Sequence, residues 1–191
     1  MAPVARIKRR QGCAGLLARA RARARLFARA RRGAVTVEFA FVSIPFLLLI
    51  FAIIELGLVF LVSITLENAV IDVGRTIRTG EVQTNGGTAA TFKSAVCDKI
   101  GVIGSLSCST ALQLDVRTYT DYSTSNTSAG ATSTVPTSMQ FSPGTAGSIV
   151  LVRAYYTWPL VTPLLQTGLQ NSGGRRIIYA ATAFTNEPYD Q

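Results

Sequence analysis

The sequence predicts an α+β protein: a long N-terminal transmembrane helix extends into a small exported head with about three antiparallel strands and a short helix. A run of 28 mostly apolar residues, Phe39 to Leu66, contains Glu55 as its only charged residue. A strongly basic segment precedes that run, and strand-like alternation of apolar and polar residues follows it. The chain has 191 residues, which allows one span and one domain of modest size.

Positive charge is concentrated in residues 1–33, which we interpret as a leader. This segment holds eleven of the 19 Lys and Arg residues and none of the ten Asp and Glu residues. Eight basic and ten acidic side chains remain in the rest of the chain, so the formal net charge of +9 belongs to the leader. Such a flank keeps residues 1–33 in the cytoplasm and exports residues 67–191. We therefore predict a single-pass membrane protein with an exported head, which in a bacterium means the inner membrane and a periplasmic head.

Alternating Arg and Ala over residues 19–25 offer a second interpretation of the leader. These Arg side chains could neutralise phosphates of nucleic acid or of anionic lipid. However, a spacing of two spreads Arg around a helix, and no aromatic residues interleave for base stacking. An orientation signal held at membrane lipid, with no specific nucleic acid as a partner, is the simpler interpretation.

The apolar run predicts a transmembrane helix over residues 34–66. About 20 apolar residues cross a bilayer, and a cleaved secretory signal has an apolar core of only roughly 7–15 residues. No polar face recurs at helical spacing, which argues against a buried helix of a soluble core. Pro45 predicts a kink near the cytoplasmic side.

Beyond the span, the apolar pattern predicts that the same helix continues over residues 67–79. Leu66, Ala69, Val70, Val73 and Ile77 share one helical face. Gly80 follows as a suitable residue for the helix end.

The head combines one short helix with three strands. Thr88 is a plausible N-cap for a helix over Ala89–Ile100, which Gly101 ends. We predict strands over residues 112–117, 149–158 and 176–184. The first alternates apolar and polar residues, and the second is β-rich, with Val150, Val152, Ala154, Tyr156 and Trp158 on one face. Residues 123–148, rich in Ser, Thr, Gly and Pro, predict an exposed loop.

Cysteine placement agrees with export. Cys97 and Cys108 both fall in the exported segment, where disulfides form, so we predict a bridge between them. Cys13 lies in the leader and is expected to remain a single thiol.

The junction between leader and span carries the most specific signal. Residues 31–39 read RRGAVTVEF: basic residues, a Gly, four small or apolar residues and a Glu before the long apolar helix. This is the layout of a type IV prepilin, which a membrane aspartyl peptidase cuts after the Gly. We predict processing between Gly33 and Ala34, because a Gly backbone can pass close to the carboxylates of a protease.

Five segments together resemble the TadE/TadG-like family of minor pilins and pseudopilins of the tight-adherence (Flp) pilus. They are GAVTVEFAF at residues 33–41, Pro45, IIELG at 53–57, DVGRTIRTG at 72–80 and NEPY at 186–189. The resemblance implies a role in type IV pilus assembly. It also implies three partners: a prepilin peptidase, other pilins and the Tad assembly platform. Only 125 residues (67–191) follow the span, which favours TadE over TadG-type proteins with their large adhesin-like domain.

Two carboxylates in the helix are candidate assembly residues, together with Pro45. The resemblance implies that Glu38, the fifth residue after cleavage, meets the α-amino group of a neighbouring subunit; exposure at the headgroups is the alternative. Glu55 lies near the middle of the predicted span, where an ionised carboxylate costs about 2.5–3.5 kcal/mol. We expect it to contact a neighbouring pseudopilin or the assembly platform. The alternative is a protonated Glu bonded to nearby backbone or to Ser63.

The sequence argues against catalysis. It contains no His and no phosphate-binding G-x-x-x-x-G-K-[S/T] loop, and two Cys without other soft ligands make a poor zinc site. Asp98, Asp115 and Asp121 fall on predicted solvent faces. We expect a non-enzymatic protein without a cofactor. A signal-anchored monomeric periplasmic protein with no filament role is the alternative function.

Overall fold

The computed structural model describes residues 31–101, 108–129, 135–171 and 173–189. The chain divides into two compact units, Met1–Ile50 and Phe51–Gln191. Most of the predicted leader, including Cys13, lies outside the described residues.

One helix dominates the N-terminal part of the described chain. Helix α1 spans Arg31–Arg78, 48 residues, with Pro45 inside it. It is long and apolar enough over Val35–Arg78 to cross a membrane, as predicted. Helix α1 ends one residue before the predicted end, and Gly80 takes a left-handed φ of 80°. Its N–H donates to the Ile77 carbonyl oxygen over 3.1 Å, which helps to close the last turn.

The first unit, as far as the structure describes it, is the helical segment before Phe51. Large apolar side chains there are exposed on all sides of the helix, from Val35 to Leu49. Such a surface is what a lipid-facing helix presents, because in water it would expose a contiguous apolar patch.

A three-stranded antiparallel sheet forms the centre of the second unit, as predicted. Strands β1 (Leu112–Tyr119), β2 (Ile149–Pro159) and β3 (Arg175–Thr185) lie in the order β1-β2-β3. The register places Asp115 opposite Arg153 and Arg175 opposite Pro159. The α+β class predicted from the sequence is confirmed.

Five short helices complete the described elements: α2 Glu81–Thr84, α3 Ala89–Ile100, α4 Cys108–Ala111, α5 Tyr122–Ala129 and α6 Pro163–Gly168. Helix α3 has its predicted bounds, and Thr88 caps it through reciprocal hydrogen bonds with Thr91. The Thr88 N–H donates to Thr91 Oγ1 over 2.9 Å, and the Thr91 N–H donates to Thr88 Oγ1 over 3.3 Å.

The core lies between one side of the C-terminal part of α1, helix α3 and one face of the sheet. Gly74 of α1 permits close packing, since a Cβ there would lie 3.3 Å from Cε1 of Phe184 in β3. The buried side chains of this core on α1 are Val59, Val62, Leu66, Ala69, Val70, Val73 and Ile77; on α3 Phe92, Val96 and Ile100; and on the sheet Leu112, Val116, Val150, Val152, Ala154, Tyr156, Ile178 and Ala180.

The second face of the sheet is buried at its central strand. Leu151, Arg153 and Tyr155 of β2, on the face opposite to the predicted apolar face, are buried. The reason is that α5 packs near β2, so the central strand is covered on both faces.

The prediction of a continuous loop over residues 123–148 is wrong at its start, because α5 begins at Tyr122. Asp121 caps this helix by accepting hydrogen bonds from the Ser123 hydroxyl, over 2.6 Å, and from the Thr124 N–H, over 2.8 Å. These bonds lower the pKa of Asp121 to about 2. Further along, Val116 of β1 forms a parallel bridge with Phe141.

Candidate functional site: the carboxylates of helix α1 and the contacts of the head

Glu55 is a buried carboxylate on α1 that binds the turn after β2. Its side chain is 6% exposed. Oε1 accepts the Val161 N–H over 2.5 Å and Oε2 accepts the Thr162 N–H over 2.7 Å. Each carboxylate oxygen thus has one backbone donor, and charge-assisted bonds of this kind are the stronger class. The contact attaches the segment that leads from β2 into α6 to the side of α1.

From the sequence we expect Glu55 to contact a neighbouring pseudopilin or the assembly platform, or else to bond to nearby backbone or to Ser63. The observed partners are backbone N–H groups that lie more than 100 positions along the chain, and no side-chain pattern in the sequence encodes them. Glu55 therefore has partners within its own chain, and its predicted role in assembly stays a prediction.

The other predicted site residues of the junction lie in α1. Gly33 is half-buried within the helix, and Ala34 is also helical. Glu38 and Pro45 are both exposed. Cleavage after Gly33 would require the helix to open locally, which Gly favours because it is a weak helix former. The exposed carboxylate of Glu38 is free to meet a charged group of another molecule.

Two distant segments of the resemblance contact each other at the end of α1. The Glu187 N–H donates to the Arg78 carbonyl oxygen over 2.8 Å, and Arg78 Nη2 lies 3.0 Å from Glu187 Oε1. The Tyr189 ring covers Gly80, where an added Cβ would lie only 2.4 Å from the ring. Gly80 is thus required both for its positive φ and for the close approach of the ring.

Asn186 fastens the same C-terminal segment to the head. It is 2% exposed, and its Nδ2 donates to the Pro143 and Thr145 carbonyl oxygens over 2.9 and 3.0 Å. Its N–H donates to the Ser148 carbonyl oxygen over 2.9 Å. Residues 186–189 therefore connect the end of α1 with the loop before β2.

Cys97 and Cys108 form a disulfide, with their Cα atoms 5.7 Å apart. The bridge joins α3 to α4. The pairing predicted from the sequence is confirmed.

Asp115 forms a buried ionic cluster that the sequence did not predict. It is fully buried and accepts hydrogen bonds from Arg153, from Arg117 Nε over 2.9 Å and from the Gln140 N–H over 2.8 Å. Burial alone would raise the pKa of Asp115, but the bonds from Arg153, Gln140 and Arg117 hold that pKa below its ordinary value. The expectation of a solvent-facing Asp115 is wrong because α5 and residues 138–142 cover this side of β1. Only the strand register, which the sequence does not display, brings Asp115 beside Arg153.

Comparison with known proteins supports the resemblance. A family model described as TadE-like protein matches residues 33–75. Searches of the curated proteins and of the solved structures found no match. The matched segment contains the junction, Glu38, Pro45 and Glu55, and extends into the part of α1 that packs in the core. Over residues 33–75, this chain is therefore similar to the TadE-like family.

Proposed function

We propose that this protein is a minor pilin or pseudopilin that acts in assembly of a tight-adherence type IV pilus. At family level the TadE-like segment supports a pilin-like protein associated with the Tad pilus. The finer proposal is that α1 spans the bacterial inner membrane with the leader in the cytoplasm and the head in the periplasm. A prepilin peptidase then removes the leader after Gly33. The role is structural and needs no catalytic step.

The exposed side of α1 beyond Glu55 is the observation that carries this proposal. On one side of the helix Val59 and Val62 are buried under the sheet. On the other side Phe60 is 61% exposed and Ile64 57% exposed. An apolar stripe continuing along a helix that already carries a head favours packing against helices of other subunits, since a soluble monomer would leave it in water.

Glu38 supplies the charge for such packing. After cleavage, Ala34 carries a new α-amino group near the cytoplasmic rim of the bilayer. An opposite charge within a few Å offsets the cost of removing a carboxylate from water. We infer that Glu38, exposed on α1, pairs with the amine of the adjacent subunit and sets the axial position of this subunit against other pilins and the assembly platform.

The test is Glu38→Ala in a host that assembles the pilus, with Glu67→Ala as the matched control. Glu67 is an exposed carboxylate of the same helix. We expect Glu38→Ala to be exported and processed but depleted from sheared pili, or to reduce pilus number. Glu67→Ala should behave as wild type. A Glu38→Ala protein that is processed and incorporated at wild-type levels would refute this role. A wild-type protein that never leaves the membrane fraction would favour a signal-anchored monomer.

A further inference from the structure

The end of the head that carries the β2–β3 connection combines apolar, aromatic and basic side chains. We call residues 158–163 with Arg175 and Arg176 the tip. Val161 in the tip is 80% exposed, the largest exposed fraction among the large apolar side chains of the described residues. Its neighbours Leu160 and Thr162 are buried. The backbone around Val161 is therefore fixed while its side chain points outward.

Glu55 sets the position of the tip along α1. The bonds from the Val161 and Thr162 N–H groups hold the tip beside this residue. Twenty helical residues, 35–54, precede Glu55, and they contain Glu38 as their only charged residue. Their length is about 30 Å at 1.5 Å per residue, which equals the thickness of the hydrocarbon core. Glu55 therefore follows directly after an apolar stretch long enough to cross a bilayer, so the span proposed here ends at residue 54 and not at residue 66, the end predicted from the apolar run.

Charge in and around the tip fits a lipid surface. No charged residue occurs between Arg153 and Arg175 in the sequence. Arg175 is exposed and lies opposite Pro159 in the sheet, and no described carboxylate pairs with it. Apolar residues followed by Arg are typical of segments that enter the headgroup region, where the cation meets lipid phosphate.

Trp158 adds an aromatic residue at the same level. It lies opposite Arg176 at the end of β2 and is partly exposed. Its ring packs in part against the core and its Nε1 is buried, so Trp158 is a reporter group close to the tip. Ile53 and Ile54, just before Glu55 on α1, are also exposed, at 62% and 54%.

We propose that the tip docks into the periplasmic leaflet of the bilayer that α1 crosses. Val161 enters the boundary of the hydrocarbon, and Arg175 binds the phosphates of anionic lipid. Glu55 holds the tip at this depth. The inference rests on the membrane span in the proposed function and does not require a role in a pilus.

Spin labels on the full chain test this placement in vesicles of phosphatidylethanolamine and phosphatidylglycerol. Single Cys are introduced at Val161, Ile53 and Ala146 in a Cys13→Ser background that keeps the disulfide. Ala146 is exposed and lies near the start of β2, away from the tip. Val161→Cys retains both backbone donors to Glu55.

We expect labels at Ile53 and Val161 to be accessible to oxygen and shielded from a water-soluble nickel chelate, and the label at Ala146 to show the reverse. A Val161 label as accessible to nickel as the Ala146 label, with Ile53 shielded, would overturn docking of the tip and leave the span intact. Nickel access at both Ile53 and Val161 would show that Ile53 lies outside the bilayer, and the proposed span over residues 35–54 would be refuted.

The single Trp of the chain provides a second test, through quenching of Trp158 by brominated lipids. We expect quenching in wild type to rise with the phosphatidylglycerol share. Arg175→Gln should remove that rise. The control is Arg75→Gln, which changes an exposed Arg in the last turn of α1 and should keep the rise. If quenching of Trp158 in Arg175→Gln follows the wild-type curve, the contact with anionic lipid is refuted. If Trp158 is not quenched in wild type, docking of the tip is refuted.

Discussion

Replacing Glu55 by Ala removes both acceptors of the Val161 and Thr162 N–H groups at once. A hydrogen bond to a charged group contributes about 1.5–3 kcal/mol, and a buried donor left without an acceptor costs about 1–3 kcal/mol. The Thr162 donor is buried, whereas the Val161 donor is only partly buried and recovers water. We therefore expect the attachment of the tip to α1 to weaken by about 2–4 kcal/mol, less than two full bonds.

Hydrogen exchange of the full chain in nanodiscs measures this attachment directly. A loss of 2 kcal/mol corresponds to roughly 30-fold faster exchange at these two amides if they exchange through local opening. The matched control is Glu67→Ala, which removes an exposed carboxylate of the same helix and should leave both amides unchanged. Glu55→Gln should be intermediate, because its amide oxygen accepts one N–H while its NH₂ group faces the other. Unchanged exchange at both amides in Glu55→Ala would refute the attachment.

Three further predictions concern the head. The double variant Cys97→Ser, Cys108→Ser should have a free energy of unfolding about 2–3 kcal/mol lower than that of oxidised wild type in denaturant titrations. A double variant as stable as oxidised wild type would contradict this. Asp115→Asn leaves a buried arginine without its counter-charge, so we expect a loss of about 3–5 kcal/mol. Since the pKa of Asp115 is lowered by folding, its contribution to stability is complete above the unfolded pKa of about 3.9 and is lost as pH falls through the lower folded pKa. The stabilities of wild type and Asp115→Asn should therefore converge at low pH. Stability curves that stay parallel as pH falls would refute this contribution. Gly80→Ala should destabilise the head through its positive φ and the overlap with Tyr189, and Tyr189→Ala should partly relieve that loss; strictly additive losses would refute the overlap.

Local patterns account for what the sequence predicted well. Helix α3 and its cap follow from Thr88, the apolar face and Gly101 over a few consecutive residues. The end of α1 follows in the same way from Gly80. The disulfide followed from the compartment and the even count of exported cysteines, because no detailed geometry was needed to choose a partner for Cys97.

Features that depend on contacts between distant segments were missed. The partner of Asp115 is a residue of another strand, and a shift in register by one residue would turn Arg153 to the other face. The partners of Glu55 are backbone N–H groups, which every residue except Pro carries, so no sequence pattern identifies them. Helix α5 differs from the predicted loop because its Ser and Thr residues favour turns in isolation, and only the structure shows that Asp121 caps it.

The N-terminal residue of the protein, isolated from membranes of a host with an active prepilin peptidase, tests the proposed function most directly. We expect Ala34 at the N-terminus, with the leader removed and α1 retained. Gly33→Leu should leave the precursor uncleaved in the same host, since a bulky side chain obstructs the approach of the peptidase to the backbone. A wild-type protein that retains residues before Ala34 would contradict the assignment as a processed pilin.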